Sequence, residues 1–359
     1  MLETRNIFLD TQTFVQNNYF NSPRLNELFD LAEAGHINLF LTEITINEIK
    51  SNIKEDLQRS SSEINKFNKA INNNGKIIKN LSYGKNYTKL RPFDIDEAFK
   101  ELLSQLEEII KTSRVFIIDY SAVDLGEIFS KYFKHEQPFG IGKKKSEFPD
   151  AFVISAVEDW CQREKQNMYF ISGDKDFDGF SFKNIIVENS LSSLLDKINK
   201  QLHSDKYDLI SKIYYSNQTQ IIQKIKDAFI FKIKDEIGFD ISIDNVLITH
   251  IEITDYQVED MSDSLETTLQ VTGEIEYKLD VTYEDCSYAI YDKEDDRYYG
   301  CESNTITLEQ EQTFHAQIVI EADLDDKEAE HNFEIICKSV DTPDESDITE
   351  QLDGYIFQF

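Results

Sequence analysis

Four acidic residues stand where a fold could gather them: Asp10, Glu48, Asp150 and Asp174. Asp10 closes the apolar run "NIFLD", Glu48 lies in "TEITINEI", Asp150 opens "PDAFVISAV" and Asp174 closes "YFISGD". One such acid signifies little, because Asp often caps helices and ends strands. Four of them at the ends of successive structural units would repel one another unless a cation neutralised them. Hard oxygen ligands of this kind suit Mg²⁺ or Mn²⁺.

The elements that must position these acids are legible in the apolar periodicity. "NIFLD" reads as a short buried strand. "RLNELFDLAEAGHINLFLT" reads as a helix stopped near Gly35 and then a strand. A long polar-faced helix begins near Thr42, and "DIDEAFKELLSQLEEIIKTS" is amphipathic, with Phe99, Leu102, Leu103, Leu106, Ile109 and Ile110 on one side. "RVFIID" is extended and "AVDLGEIFSKYF" helical. "PDAFVISAVEDWCQREKQ" is a helix with Pro149 in its first turn, and "NMYFISGDKDF" and "NIIVE" are strands. Short strands alternating with helices predict an α/β domain with a parallel sheet. Functional groups gather at the carboxyl ends of such strands.

Beyond residue 190 the pattern changes. Residues 191–235 read as a helical connector. From about 236 to 359 the period is two, as in "LQVTGEIEYKLDVTY" and "TFHAQIVIEAD", predicting an antiparallel, half-solvated sheet or small sandwich. The net charge of −31 follows the same division: from Asp205 onward there are 38 acids and 11 bases. That part repels a polyanion. Lys50 to Arg91 is the opposite, with ten bases, three acids, and Tyr83 and Tyr87 interleaved. It reads either as a solvated helical arm or as a phosphate-contacting surface with rings for unstacked bases. The four cysteines form no CxxC pair and the six histidines show no ligand spacing. A disulfide framework is therefore not expected and a cytoplasmic, reducing setting is. No stretch approaches membrane-spanning length.

The ordered motifs "FLDTQTF", "LTEITINEI", "EFPDAFVISAVE" and "FISGDKDF" resemble those of PIN-domain nucleases across roughly residues 5–190. With "KYF…PF" upstream, the third motif is similar to that of a bacterial PIN-like subgroup carrying a C-terminal β-rich extension. The resemblance implies a three-layer α/β/α domain over residues 1–190, with a helical insertion at about 50–114. It also implies metal-dependent hydrolysis of phosphodiester bonds by a two-metal type mechanism, usually in RNA. Asp10, Asp150 and Asp174 are then metal ligands, and Glu48 is a ligand or positions water. Asp176 and Asp178 replace or supplement Asp174, or belong to a turn before Gly179, the reading preferred for Asp178. Thr11 and Ser172 orient carboxylates or are ordinary strand-end residues. Glu147 is an acid behind the ligands, a further ligand, or a helix cap. Lys143, Lys144 and Lys145, together with Lys85, Lys89 and Arg91, are the expected nucleic-acid contacts.

A haloacid-dehalogenase-type phosphatase is set aside, because it needs an acid where Gln12 stands. The expected activity is an endoribonuclease in a toxin or defence role. The alternatives are a structure-specific or single-strand DNA nuclease, and a non-catalytic nucleic-acid-binding module that recruits a partner through its acidic part. The expected partners are nucleic acid, RNA before DNA, and a basic protein or regulator for the acidic domain. No membrane is expected, and oligomerisation is left open.

Overall fold

The computed structural model describes the chain apart from residues 1, 74, 82–89, 122, 140–146, 174–182, 237–240, 262–264, 287, 294–296, 327–328, 345–346, 349–351 and 353–359, and the side chains of Lys79, Glu236 and Arg297. It divides into two compact units, Met1–Leu194 and Leu195–Phe359.

The first unit is built on five parallel strands: β1 (Asn6–Leu9), β2 (Asn38–Thr42), β3 (Phe116–Ile118), β4 (Met168–Ile171) and β5 (Ile185–Glu188). Their spatial order is β3-β2-β1-β4-β5. All of β1 and β4 and most of β2 are buried, as expected where helices cover both faces of a parallel sheet. The helices are α1 (Thr11–Gln16), α2 (Pro23–Glu33), α3 (Glu43–Asn73), α4 (Ile95–Thr112), α5 (Leu125–Lys134) and α6 (Phe148–Glu164). Phe8 of β1, Phe40 of β2, Phe170 of β4 and the α6 residues Ala151, Val153, Ile154 and Val157 form one core cluster.

Helix α3 starts without a loop after β2. Thr42 Oγ1 accepts from the Thr45 backbone N–H at 3.1 Å, satisfying one of the helix's otherwise orphaned donors. Thr45, Ile49 and Ile53 then bury one stripe at four-residue spacing. Beyond Ile53, α3 fully buries no residue, and its 31 residues run for about 46 Å. The distal part is an arm against which α4 packs.

The second unit holds a four-stranded antiparallel sheet of β6 (Ile241–Asp260), β7 (Glu266–Asp285), β10 (Glu302–Ala322) and β11 (Phe333–Val340), in the order β11-β10-β7-β6. A two-stranded hairpin, β8 (Ile290–Asp292) and β9 (Arg297–Tyr299), is inserted between β7 and β10. Leu269, Val271, Ile275, Tyr277, Leu279 and Val281 point inward along β7, every second residue as the sequence predicts. The layer that covers them is helical rather than a second sheet. Helices α8 (Ser204–Ser216) and α9 (Gln218–Glu236) contribute Tyr207, Ile210, Tyr214, Ile221, Ile225, Phe229 and Ile233 to the same core; α7 (Leu191–Leu202) precedes them. The stretch read as a connector thus supplies the helical layer of the second core. The β6–β7 register shifts at Ile243/Asn245, Ile248/His250, Ile253/Asp255 and Val258/Asp260, a bulge every fifth residue that curves this strand.

The cysteine expectation is corrected here. Cys286 and Cys301 form a disulfide, with Cα atoms 4.3 Å apart. Asp285 pairs with Glu302 at the end of the β7–β10 ladder, so the next residue on each strand faces the other. The 15-residue separation in sequence hides this, because the hairpin loops out between them. Among the described residues, no helix is long and apolar enough to cross a membrane.

Candidate active site at the strand ends

The β1–β4 ladder continues past both strands. Leu9 pairs with Ile171, and the Asp10 backbone N–H donates to Ile171 O at 3.0 Å. Asp10 and Ser172 are therefore neighbours at the carboxyl edge, and Ser172 Oγ donates to Asp10 Oδ2 at 2.9 Å. Strand alternation puts Asp10 on the same face as Phe8, and Ser172 on that of Phe170. Those two rings stack at 5.1 Å and belong to the cluster with α6. Asp10 has the N-cap position of α1, yet its side chain makes no capping hydrogen bond. Its Oδ2 accepts from Ser172, and the N–H groups of Thr11 and Gln12 lie close enough to favour its charge.

Glu48 arrives from α3. Thr11 Oγ1 donates to Glu48 Oε2 at 2.8 Å, tying the first residue of α1 to the second turn of α3. One turn before Glu48, Ile44 packs against the cluster that contains Phe8 and α6. Asp150 lies in the first turn of α6, half-buried, between Phe148 and Ala151, which pack in that same cluster. Asp10, Glu48 and Asp150 thus border one apolar cluster from three elements. Glu147 has the N-cap position of α6 but makes no side-chain cap hydrogen bond. Arg91 is exposed. Lys143, Lys144, Lys145, Asp174, Asp176, Asp178, Lys85 and Lys89 lie outside the described residues.

The surroundings disfavour charge on the acids. Burial, together with the negative charge of Glu48, pushes the Asp10 carboxyl from 3.8 up to about 6, although the Ser172 hydroxyl and the N–H groups of Thr11 and Gln12 oppose this. Burial also raises Glu48, against the hydrogen bond from Thr11. Hydroxyls hold one oxygen of each carboxylate in place.

Gln16 is a positioning residue that the sequence reading missed. Its Nε2 donates to Gly173 O at 3.4 Å. A Cβ on Gly173 would come within 1.9 Å of Gln16 Oε1, so only glycine allows this approach. The signal was the glycine of "ISGD", read only as part of a motif. Beside this edge opens a cleft of about 260 Å³ lined by Thr13, Gln16, Asn17, Arg24, Gly173 and Ser192 among others. Arg24 is its cation.

Residues 7–177 match a PIN-domain family model. The first unit therefore carries a PIN-like domain, and the match ends before the second unit begins. Neither a curated protein nor a solved structure matches the chain. PIN domains are generally nucleases, commonly metal-dependent, and they typically use divalent metal ions; a nucleic-acid substrate follows.

The donor set fits such an ion. Asp10 and Glu48 offer hard oxygens in a half-buried setting where each is costly to ionise without a counter-charge. Among the described residues no trio of carboxylates brings its oxygens within 4.8 Å; the one group so tight is Glu284 with the disulfide-bonded Cys286 and Cys301. Mg²⁺ keeps several waters and needs few protein oxygens, so Asp10 and Glu48 offer a sufficient start for its shell.

Proposed function

We propose that the chain is a metal-dependent endoribonuclease whose centre is formed by Asp10, Glu48 and Asp150, with Asp174 and Asp176 completing it. The observation that carries this reading is the pairing of Asp10 and Glu48, each fixed by a neighbouring hydroxyl, in a segment that matches the PIN-domain model. A bound Mg²⁺ or Mn²⁺ would lower the pKa of an attacking water and stabilise the leaving oxygen. The chain's own residues hold the acids in register. Ser172 orients Asp10, Thr11 orients Glu48, and Gln16 fixes the exit of β4.

Substrate contacts follow from charge. Lys54, Arg59, Lys66 and Lys69 are exposed along α3. Asn68 on the arm both accepts from the Leu90 N–H at 2.8 Å and donates to Leu90 O at 3.0 Å, which holds the residue before Arg91 against it. We assign this arm, Lys143–Lys145 and the Arg24 cleft to the phosphates flanking the cut. RNA is the preferred substrate because the site offers backbone-tracking cations with tyrosines interleaved in the sequence, the pattern that suits single strands. A basic protein or regulator acting on the acidic second unit is the arrangement that a controlled toxin or defence nuclease requires.

The test is cleavage of RNA, single-stranded DNA and duplex DNA with Mg²⁺ or Mn²⁺ against EDTA, beside Asp10→Ala and Asp150→Ala. RNA cut only with the cation, and by neither folded variant, supports the reading. Preferred cutting of DNA would reassign the substrate, and cutting that persists in both variants would remove the site.

A further inference from the structure

The second unit exposes aromatic rings where its core has no use for them. In the 286–301 hairpin Tyr288 is 98% exposed, Ile290 77%, Tyr298 58% and Tyr299 51%. Tyr291 and Tyr298 are paired across β8–β9, with ring centroids 4.9 Å apart. Three-residue strands do not hold a hairpin in water by themselves. Here the Cys286–Cys301 disulfide closes its base. β11 pairs with β10 only from Ala316 onward, so the β7–β10 ribbon carries the hairpin beyond the reach of that strand. A covalent staple thus closes the base of a hairpin whose described residues present several tyrosines at the surface. Rigid exposed tyrosine is characteristic of interfaces, since it offers a large contact area for little lost freedom.

Charge selects the occupant. Between Glu284 and Glu302 the sequence holds seven acids and two bases. Glu284 and Glu302 flank the base of the hairpin and are exposed. A nucleic acid would find rings for its bases but a repulsive field for its phosphates. A cationic polypeptide finds both groups favourable, because Lys and Arg bind over tyrosine faces and carboxylates steer them in. We propose that Tyr288, Tyr291, Tyr298 and Tyr299, carried on or beside β8 and β9 above the Cys286–Cys301 disulfide, are a docking surface for a Lys- and Arg-rich polypeptide segment, the rings receiving its cations and Glu284 and Glu302 steering them. The proposal deepens the basic-partner part of the reading above but does not depend on cleavage, since none of these residues belongs to the first unit.

The test uses the full chain and a fluorescently labelled nona-arginine peptide, followed by anisotropy at about 0.15 M salt, where long-range surface charge is largely screened. Binding by the parent protein is expected. It should weaken about tenfold or more in Tyr288→Ser/Tyr291→Ser/Tyr298→Ser, which leaves the charge unchanged. It should weaken also in Cys286→Ser/Cys301→Ser, which keeps the rings but frees the hairpin; circular dichroism checks the fold of both. Equal affinity in the parent and the tyrosine variant would assign binding to the acidic surface at large and overturn the proposal. No binding by the parent would overturn it equally. A labelled single-stranded oligonucleotide that binds the parent and is lost in the tyrosine variant would make the hairpin a nucleic-acid surface instead.

Discussion

Asp10 carries a charge that its own surroundings oppose. With its carboxyl raised from 3.8 to about 6, the folded state holds a proton that the unfolded chain has released between those pH values. Its contribution to stability is therefore complete below about pH 4 and is lost as pH rises through 6. At about 1.4 kcal/mol per pH unit, reduced by solvent because the group is half-buried, the loss is on the order of 1–2 kcal/mol. Asp10→Asn should accordingly raise the melting temperature of EDTA-treated protein by a few degrees at pH 7.5 and by much less at pH 4, measured by scanning calorimetry. The same proton competes with the cation. Mn²⁺ affinity, followed by calorimetric titration, should fall about tenfold from pH 7.5 to pH 5, and Asp10→Asn should weaken that dependence, leaving the part due to Glu48, and abolish cleavage. Thr11→Val tests the partner acid. It keeps the volume and removes the hydroxyl that favours ionised Glu48. Cleavage should fall about tenfold, as a hydrogen bond to a charged group is worth about 1.5–3 kcal/mol. An unchanged rate would mean that Glu48 needs no orientation.

Two glycines show how the elements transmit position. At Gly173 the obstacle to a Cβ is the far end of the Gln16 side chain; at Gly273 it is the Glu252 backbone carbonyl, at 2.2 Å, and the Phe314 ring, at 2.7 Å. A flexible amide can swing aside, whereas a paired strand and a buried ring cannot. Gly173→Ala should thus leave the melting temperature nearly unchanged but reduce cleavage severalfold, because Gln16 loses its hold on Gly173 O. Gly273→Ala should destabilise the second unit by about 1–3 kcal/mol, the range for overpacking a filled core, and spare cleavage. The strands of the first unit were legible because buried parallel strands are nearly continuous apolar runs, as in "NIFL" and "MYFI". The Asp10–Ser172 contact was only partly so, since register is set between strands and leaves no mark within either. Six-residue α1 is too short to show a helical period, so Gln16 went unread. The same blindness to register concealed the disulfide, and amphipathic α8 and α9 gave no sign of what their apolar faces cover.

For the molecule as a whole, each hydrophobic core lies within one unit. The cluster of Phe8, Phe40, Phe170 and α6 belongs to the first, and that of β7, β10, α8 and α9 to the second. A ligand that binds only one folded unit stabilises that unit by RT ln(1 + [L]/Kd), about 2.7 kcal/mol at a hundredfold excess over Kd. Calorimetry should therefore resolve two transitions that respond to different perturbations. Mn²⁺ at saturation should raise one and leave the other in place, and Asp10→Ala should cancel the rise. Ile275→Ala, which empties a fully buried position at the centre of β7, should lower the other by the equivalent of about 2–5 kcal/mol and leave the Mn²⁺-sensitive transition unmoved. If Mn²⁺ and Ile275→Ala moved the same transition, the units would unfold as one, and the acidic half would belong to the stability of the catalytic one. Separate responses would mean that each unit melts on its own core, the first answering to the cation and the second to the packing around Ile275.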